Sequence, residues 1–524
     1  MRHYRPLWAT LFLALPVSVL GQTGTGLTGI VSDNTGRVVV GAAVRVSNVA
    51  TGVDYRASTS DRGTYTFPAL LPGTYRLAVE HPGFKKSTQD GIVIETGFTR
   101  TVDVRLEVGA VTESVTIVAS TPLLETENSA AGQVIERTTV ANMPLESRRG
   151  GSLVRLTAGV LYTGEVGGAE AVPIFTISGG RPRNQQWLLD GTTVQNTALG
   201  LPQIAINPPV ETLQEFKVEA NAFSAEIGRA GGGAVVMTSR SGTNQFHGAG
   251  YNFLRNDKMD ARSFFARTKA PLRYNVPGVS LGGPIRPNKT FFFYTYEGGR
   301  RREGVTYSSD TLPRPVELTG DFSNRRDVQV RDPLSQQPFP GTRIPTSRID
   351  PIAAALVKFY PAPNTPNEDL TRAPRANYIA NASNISKSDY FFGRVDHNIG
   401  NNDRLFGRVI YYELYSETQP IYPNRFVDPR GGFGTGRSPT VAATWFHNFS
   451  PTKFNEFRFE RLNNDGGGPT FSFGSNINQQ VGLKRRRSNV QPDSECDRPD
   501  QFRTRSGSAT GAISAQAAEP ASGG

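Results

Sequence analysis

A chain of 524 residues with 55 glycines, 37% apolar and 10% aromatic residues is long enough for several domains and has the make-up of a β-rich protein with many turns. Its formal net charge is +11, but the arginines are spread along the whole chain rather than gathered in a stripe, which speaks against nucleic acid as a partner. The single cysteine, Cys496, excludes an intrachain disulfide framework and any multi-cysteine metal site.

Residues 1–21 have the form of a secretory signal: Arg2 and Arg5 give a positive start, Leu7 to Leu20 an apolar core, and Val19-Leu20-Gly21 a cleavable end before Gln22. No later run of about 18 apolar residues predicts a transmembrane helix. A transmembrane barrel, which shows only short alternating segments, stays open.

Residues 22–108 predict a small antiparallel β-sandwich. Strand candidates are Leu27 to Val31, Ala43 to Asn48, Tyr65 to Phe67, Thr74 to Glu80, Gly91 to Glu95 and Thr101 to Leu106. Asn34-Thr35-Gly36, Asp61-Arg62-Gly63 and Leu71-Pro72-Gly73-Thr74 supply turns between them. The join, residues 109–120, holds a Val/Thr-rich run, Glu113-Ser114-Val115-Thr116-Ile117-Val118, of the kind that forms an edge strand, a linker, or an added strand on a partner's open sheet.

Residues 121–243 predict an α+β globule. Arg149 to Leu156 reads as a short helix. Four short strands follow between Pro173 and Thr243, around Ile177, Leu188, Phe216 with Val218, and Val235 with Met237. Asp190-Gly191 is a tight-turn signal, and Gly231 to Gly233 a joint where side chains would clash. Arg181, Arg183, Trp187 and Asp190 are the positions here that could face a ligand, with turn and core roles as the competing explanation.

Residues 244–483 change character: aromatics rise and runs of about ten residues appear. The candidates are Gln245 to Arg255, Tyr274 to Ile285, Lys289 to Glu297, Asp389 to Ile399, Asp403 to Glu413, Thr440 to Phe449 and Lys453 to Leu462. In the last, Phe457 and Phe459 alternate with Glu456, Arg458 and Glu460, which sets rings on one face and charges on the other. Asn401-Asn402-Asp403 is a short turn, whereas Gly304 to Ala380 is long, polar and Pro-rich, as an external loop would be. Residues 484–524 are rich in Ser, Ala, Gly, Arg and Pro, with Phe502 as their only aromatic, and predict a disordered tail.

Several stretches carry a resemblance. Phe175-Thr176-Ile177-Ser178-Gly179-Gly180-Arg181, Gln186-Trp187-Leu188-Leu189-Asp190-Gly191 and Gly231 to Thr243 resemble the plug of TonB-dependent outer-membrane receptors, in the Oar-like group. Phe246-His247-Gly248, Leu254-Arg255-Asn256-Asp257, Ser280-Leu281-Gly282-Gly283-Pro284-Ile285 and Lys289-Thr290-Phe291-Phe292-Phe293 resemble the start of that family's barrel. Gly63 to Phe67 with Pro72-Gly73-Thr74-Tyr75 is similar to carboxypeptidase-regulatory-like domains, which implies a transthyretin-like or carbohydrate-binding-like fold and no peptidase chemistry. By this resemblance 121–243 is a plug inside a partial barrel, 244–483. Glu113 to Val118 stands at the TonB box, the contact with the energy-transducing inner-membrane complex. The implied function is active uptake of a siderophore, cobalamin, or an oligosaccharide or peptide through the outer membrane, with outer-membrane lipid as a further partner. The family closes its barrel with about 22 strands, so about seven candidates predict an N-terminal portion. The competing expectation is a secreted or surface module binding carbohydrate or peptide.

No enzyme, cofactor or metal site is expected. The five histidines (His3, His81, His247, His397, His447) are scattered, whereas a zinc peptidase needs two His and a Glu converging. Gly24-Thr25-Gly26-Leu27-Thr28-Gly29 lacks the strand before and helix after that a dinucleotide site needs. Gly278-Val279-Ser280-Leu281-Gly282 lies between Pro277 and Gly283-Pro284, which bar the helix of a nucleophile elbow.

Overall fold

The computed structural model describes residues 25–109, 114–118, 131–143, 148–166, 172–196, 201–202, 207–220, 227–228, 230–262, 264, 269–365, 371–400, 402–425, 428, 431–450, 453–468, 480–482 and 512–518. Predictions on residues 1–24, on Glu113 and on the tail residues 484–511 and 519–524 fall outside these.

The front unit has two sheets. β1 (Gly26–Asp33) pairs with β4 (Thr64–Pro68), β7 (Thr99–Thr101) and β8 (Val104–Leu106). The second sheet runs β3 (Asp54–Ser58), β2 (Ala43–Asn48), β5 (Gly73–Glu80), β6 (Lys86–Ile94), β9 (Ser114–Val118). Alternation decides the faces: Val44 and Val46 of β2 and Leu77 and Val79 of β5 are buried against Leu27, Val31, Tyr65 and Phe67 from the other sheet. Gly26 to Gly29 lies in β1, a strand rather than a phosphate loop.

The central unit is a mixed sheet in the order β10 (Ala131–Glu136), β17 (Leu213–Ala220), β18 (Gly233–Ser239), β13 (Gln186–Leu189), β14 (Thr192–Thr193), with β13 and β18 parallel. β11 (Val160–Val166) and β12 (Val172–Ile177) form a hairpin beside it, and β15 (Gln195–Asn196) pairs with β16 (Leu201–Pro202). α1 (Arg137–Asn142) is helical, but the helix expected at Arg149 to Leu156 is a 3-10 turn, Gly150–Leu156. Two glycines and a β-branched Val within it favour the tighter, shorter form.

The third unit is one large antiparallel sheet. Its order is β19 (His247–Asn256), β20 (Leu272–Arg286), β21 (Thr290–Asp310), β22 (Tyr378–Ile399), β23 (Asp403–Thr418), β24 (Gly432–Ser450), β25 (Lys453–Leu462), β27 (Ala512–Ala518), with β26 (Asp465–Gly467) on β24. The seven predicted strands are all present, several of them longer than expected, because their far ends are polar and lack the alternation that marks the apolar half. Gly278 to Gly282 lies inside β20. Among the described residues β19 and β27 do not pair with each other, so the sheet is open.

The tail expectation needs correcting at one place. Residues 512–518 form a strand paired along Phe454 to Glu460 of β25. An Ala-rich segment is compatible with strand pairing when the alternative is an unpaired sheet edge.

Period-two alternation divides the large sheet. On β23, Arg404, Phe406, Arg408, Ile410 and Tyr412 are buried, while Leu405 and Val409 are 41% and 52% exposed. The central unit packs on the first set: Phe293, Tyr390, Phe392, Ile410 and Tyr412 share one core with Phe175, Trp187, Phe216 and Val235. Gly242 lies where the chain enters the large sheet. A Cβ there would sit 2.4 Å from the Phe292 carbonyl oxygen and 2.6 Å from that of Gly283, so only glycine fits so close to the strand backbone.

Candidate functional site

The central unit and the large sheet meet at Asp190. It closes the tight turn after β13 with φ of 50°, followed by Gly191 at 77°. Both residues lie in the left-handed region that Asp-Gly tolerates. The turn aims the carboxylate at the sheet. Oδ1 accepts from the Ser239 amide and Oδ2 from the Ser239 hydroxyl, each at 2.8 Å, which ties β13 to the end of β18.

Two arginines of the sheet complete the shell. Arg408 donates to Asp190 Oδ2 at 2.8 Å, to the Leu189 carbonyl at 3.1 Å and to Glu460 at 2.7 Å. Arg394 lies 3.3 Å from Asp190 Oδ1, donates to the Ser239 hydroxyl at 2.9 Å, and forks onto Asp396 at 2.8 and 2.7 Å. Ser241 donates to the same Asp396 at 2.7 Å. Arg394 and Arg408 are direct cross-strand partners on β22 and β23. Like charges so placed repel; the carboxylate between them removes the conflict. Burial pushes the Asp190 carboxyl up, but Arg394, Arg408 and Ser239 outweigh it, so it is held below the ordinary carboxylate range.

A second contact lies at the other side of the central sheet. Arg148 sits 3.6 Å from the Phe253 ring centroid and 3.2 Å from Glu211. Arg149 lies 3.9 Å from Glu297, which also accepts from the Tyr251 hydroxyl at 3.0 Å. These contacts fix the central unit in place through charge and rings and bring no nucleophile or acid–base pair together.

The front unit docks on both. The Thr96 amide donates to Glu215 at 2.6 Å, and its hydroxyl lies 2.9 Å from that of Thr238. Lys217, wholly buried, donates to the Gly97 carbonyl at 3.1 Å, pairs with Glu219 at 3.0 Å and lies 3.4 Å from the Phe98 ring centroid. Asn244 reaches the Ala50 and Thr51 carbonyls and also bonds Asn288, in the short turn between β20 and β21. The front unit therefore sits at the short-turn end of the large sheet.

Ser114 to Val118 form β9, parallel to β6 with Ser114 opposite Lys86 and Val118 opposite Asp90. Arg181 and Arg183 are exposed on the loop between β12 and β13. Trp187 does not face a ligand: it is 1% exposed and packs edge-on to Phe175 at 5.7 Å, because β13 is an interior strand. Asp190 likewise is taken up by the arginines. Sequence reading missed Arg394, Arg408, Ser239 and Glu460. One signal was available: Phe-Gly-Arg-Val occurs at Phe392 to Val395 and again at Phe406 to Val409, on neighbouring strands.

A sheet with an apolar outer face, clasping a folded unit through inward charges, defines a membrane β-barrel class. The family description "Outer membrane beta barrel domain" matches residues 238–521, and "Carboxypeptidase regulatory-like domain" matches 26–107. The chain belongs to the outer-membrane β-barrel domain family, whose model matches more than half of it. It is 25% identical over 293 residues to the TonB-dependent transporter Oar of Myxococcus xanthus, covering 53% of this chain and 26% of that protein. Among solved structures it is similar to the siderophore receptor PirA of Acinetobacter baumannii, at 14% identity and TM-score 0.37, covering 64% of this chain and 40% of that one. It is similar also to the outer-membrane transporter YddB of Escherichia coli, at 10% identity and TM-score 0.34, covering 64% and 48%. The chain thus spans about a quarter of the length of the curated relative that it matches.

Proposed function

We propose that the chain works in TonB-dependent uptake of a nutrient across the outer membrane. The central unit, residues 121–243, is the plug, and residues 244–483 form part of the barrel wall. The observation that carries this reading is Asp190, buried between Arg394 and Arg408: a folded unit is fastened to one face of a sheet whose other face exposes apolar residues such as Leu405, Val409 and Val441. A soluble surface module has no use for a row of exposed apolar residues along several neighbouring strands.

Cargo is a siderophore, cobalamin, or an oligosaccharide or peptide, and Arg181 and Arg183 on the exposed β12–β13 loop are its first plug contacts. The energy-transducing partner is a TonB-type inner-membrane complex that pairs with the segment Glu113 to Val118 as an added strand. In the docked arrangement Ser114 to Val118 occupy the β6 edge of the front unit. The partner therefore competes with β6 for that strand, and its pull reaches the plug through the chain leading to β10. No covalent step is needed.

The test is capture of the chain, extracted from outer membranes, by the periplasmic C-terminal domain of TonB. Deleting 113–118 is expected to abolish capture. Equal capture without those residues would overturn the assigned contact.

A further inference from the structure

Arg394, Arg404, Arg408 and Arg458, on β22, β23 and β25, share the parity that faces the central unit. Three of them hold a carboxylate at 2.7 Å: Arg394 on Asp396, Arg408 on Glu460 and Arg458 on Glu456. Arg404 does not. It is only 6% exposed, its Nε has no hydrogen-bond partner, and no acid among the described residues stands within ion-pair reach of it. Its guanidinium lies on the ring of Phe446, its direct neighbour on β24, 4.1 Å from the centroid. A buried cation without a counter-charge is costly, and the ring offsets only part of that. Arg404 lines a recess at the seam between the front unit and the short-turn end of the large sheet. The sheet contributes Phe446, Asn402 and Asn448 to it, and the front unit closes the other side with Val53 and Tyr55. The two acids of the recess are already engaged. Asp54 accepts from the Ser47 hydroxyl. Asp403 accepts from the Trp445 indole at 2.8 Å and lies 2.7 Å from His447 Nδ1.

We infer that this seam is a binding site for a small organic carboxylate. The planar guanidinium of Arg404 suits a carboxylate, and its burial strengthens the pair. The side-chain amides of Asn402 and Asn448 are donors for the same oxygens. Phe446, Val53 and Tyr55 give the apolar body of the ligand its walls. Inorganic phosphate fits less well, because it has no apolar body and brings more charge than one arginine answers. Both units line the recess, so a bound carboxylate stabilises the docked front unit by mass action. The inference rests on the front unit sitting at the short-turn end, and not on the TonB contact.

The experiment is fluorine NMR of para-fluorobenzoate titrated with the full chain, extracted from outer membranes in mild detergent. Its uncharged twin, para-fluorobenzamide, is titrated alongside, and acetate and inorganic phosphate serve as competitors. The carboxylate is expected to bind roughly tenfold tighter than the amide, the weight of a hydrogen-bonded charge. Acetate is expected to displace it and equimolar phosphate to leave it bound. Arg404→Gln is expected to lower its affinity roughly tenfold and Asn448→Ala severalfold, while the remote Arg105→Gln changes nothing. The unfolding midpoint of Arg404→Gln shows whether that variant folds; where it does not, Asn448→Ala decides. Equal binding of carboxylate and amide, displacement by phosphate as effective as by acetate, or unaltered affinity in a folded Arg404→Gln or in Asn448→Ala would each overturn the inference.

Discussion

Replacing Asp190 by Asn keeps the shape of the turn and removes the charge that separates Arg394 from Arg408. The carboxylate makes ion pairs at 2.8 and 3.3 Å and accepts two further hydrogen bonds from Ser239 at 2.8 Å. Each arginine keeps an acid of its own, Asp396 or Glu460, so neither is left wholly unpaired. The cost is then below that of leaving a buried charge uncompensated and is about 2–3 kcal/mol, that of losing hydrogen bonds to a charged group. With a urea dependence of about 1–3 kcal/mol per molar, the unfolding midpoint of the central unit is expected to fall by roughly 1 M. Trp187 fluorescence reports that transition in a background where the other two tryptophans, Trp8 and Trp445, are Phe. A double-mutant cycle with Arg408→Met is expected to show coupling above about 1 kcal/mol. A midpoint unchanged in Asp190→Asn, or additive effects in the cycle, would refute the fastening role of this carboxylate.

Other consequences follow from the docked front unit. A disulfide joining β6 to β9, Thr88→Cys/Thr116→Cys in a Cys496→Ser background, is expected to cut capture by the TonB C-terminal domain at least tenfold when oxidised and restore it on reduction. Equal capture in both redox states would show that β9 need not leave β6. Burial pushes the Glu215 carboxyl up to about 6 despite its bonds from Thr96, and Glu95 and Glu136 add to the rise. Its charged form is therefore penalised in the folded protein relative to the unfolded chain. Stability should be greatest below the ordinary carboxyl range, fall as pH rises through 6, and lose about 2 kcal/mol in all. Urea unfolding at pH 5 and pH 8 measures this, and Glu215→Gln should shrink the difference; a Glu215→Gln variant with the same pH dependence would contradict it. Lys217→Met removes a buried cation held by Gly97, Glu219 and the Phe98 ring, and should loosen the docking of the front unit by about 2–4 kcal/mol, read as an increased fraction of long spin-label distances between the front and central units. No change in that fraction would assign the contact no energetic weight.

Elements whose two faces differ in solvent were legible in the sequence. Phe457 and Phe459 against Glu456, Arg458 and Glu460 announced β25 to the residue, and Asp190-Gly191 announced its turn. What stayed hidden is set by partners distant in sequence. Arg394 and Arg408 look like solvated charges on amphipathic strands until Asp190, more than 200 residues earlier, is placed between them. For Trp187 the sequence leaves ligand and core roles both open, because a short strand beside a Gly-rich joint does not say which neighbours cover it; burial decides for the core. The pairing of 512–518 was invisible because an Ala/Ser-rich run has neither alternation nor β-propensity.

The most direct test of the membrane-facing sheet is a spin-label scan of single cysteines along β23, from Leu405 to Tyr411, with the chain in native outer-membrane vesicles and Cys496 replaced by Ser. The expected result is period-two relaxation by oxygen, greatest at Leu405 and Val409 and least at Phe406, Arg408 and Ile410, with a water-soluble nickel chelate without effect at Val409. Strong relaxation of a label at Val409 by the nickel chelate would mean that this face meets water, and the barrel assignment would fail.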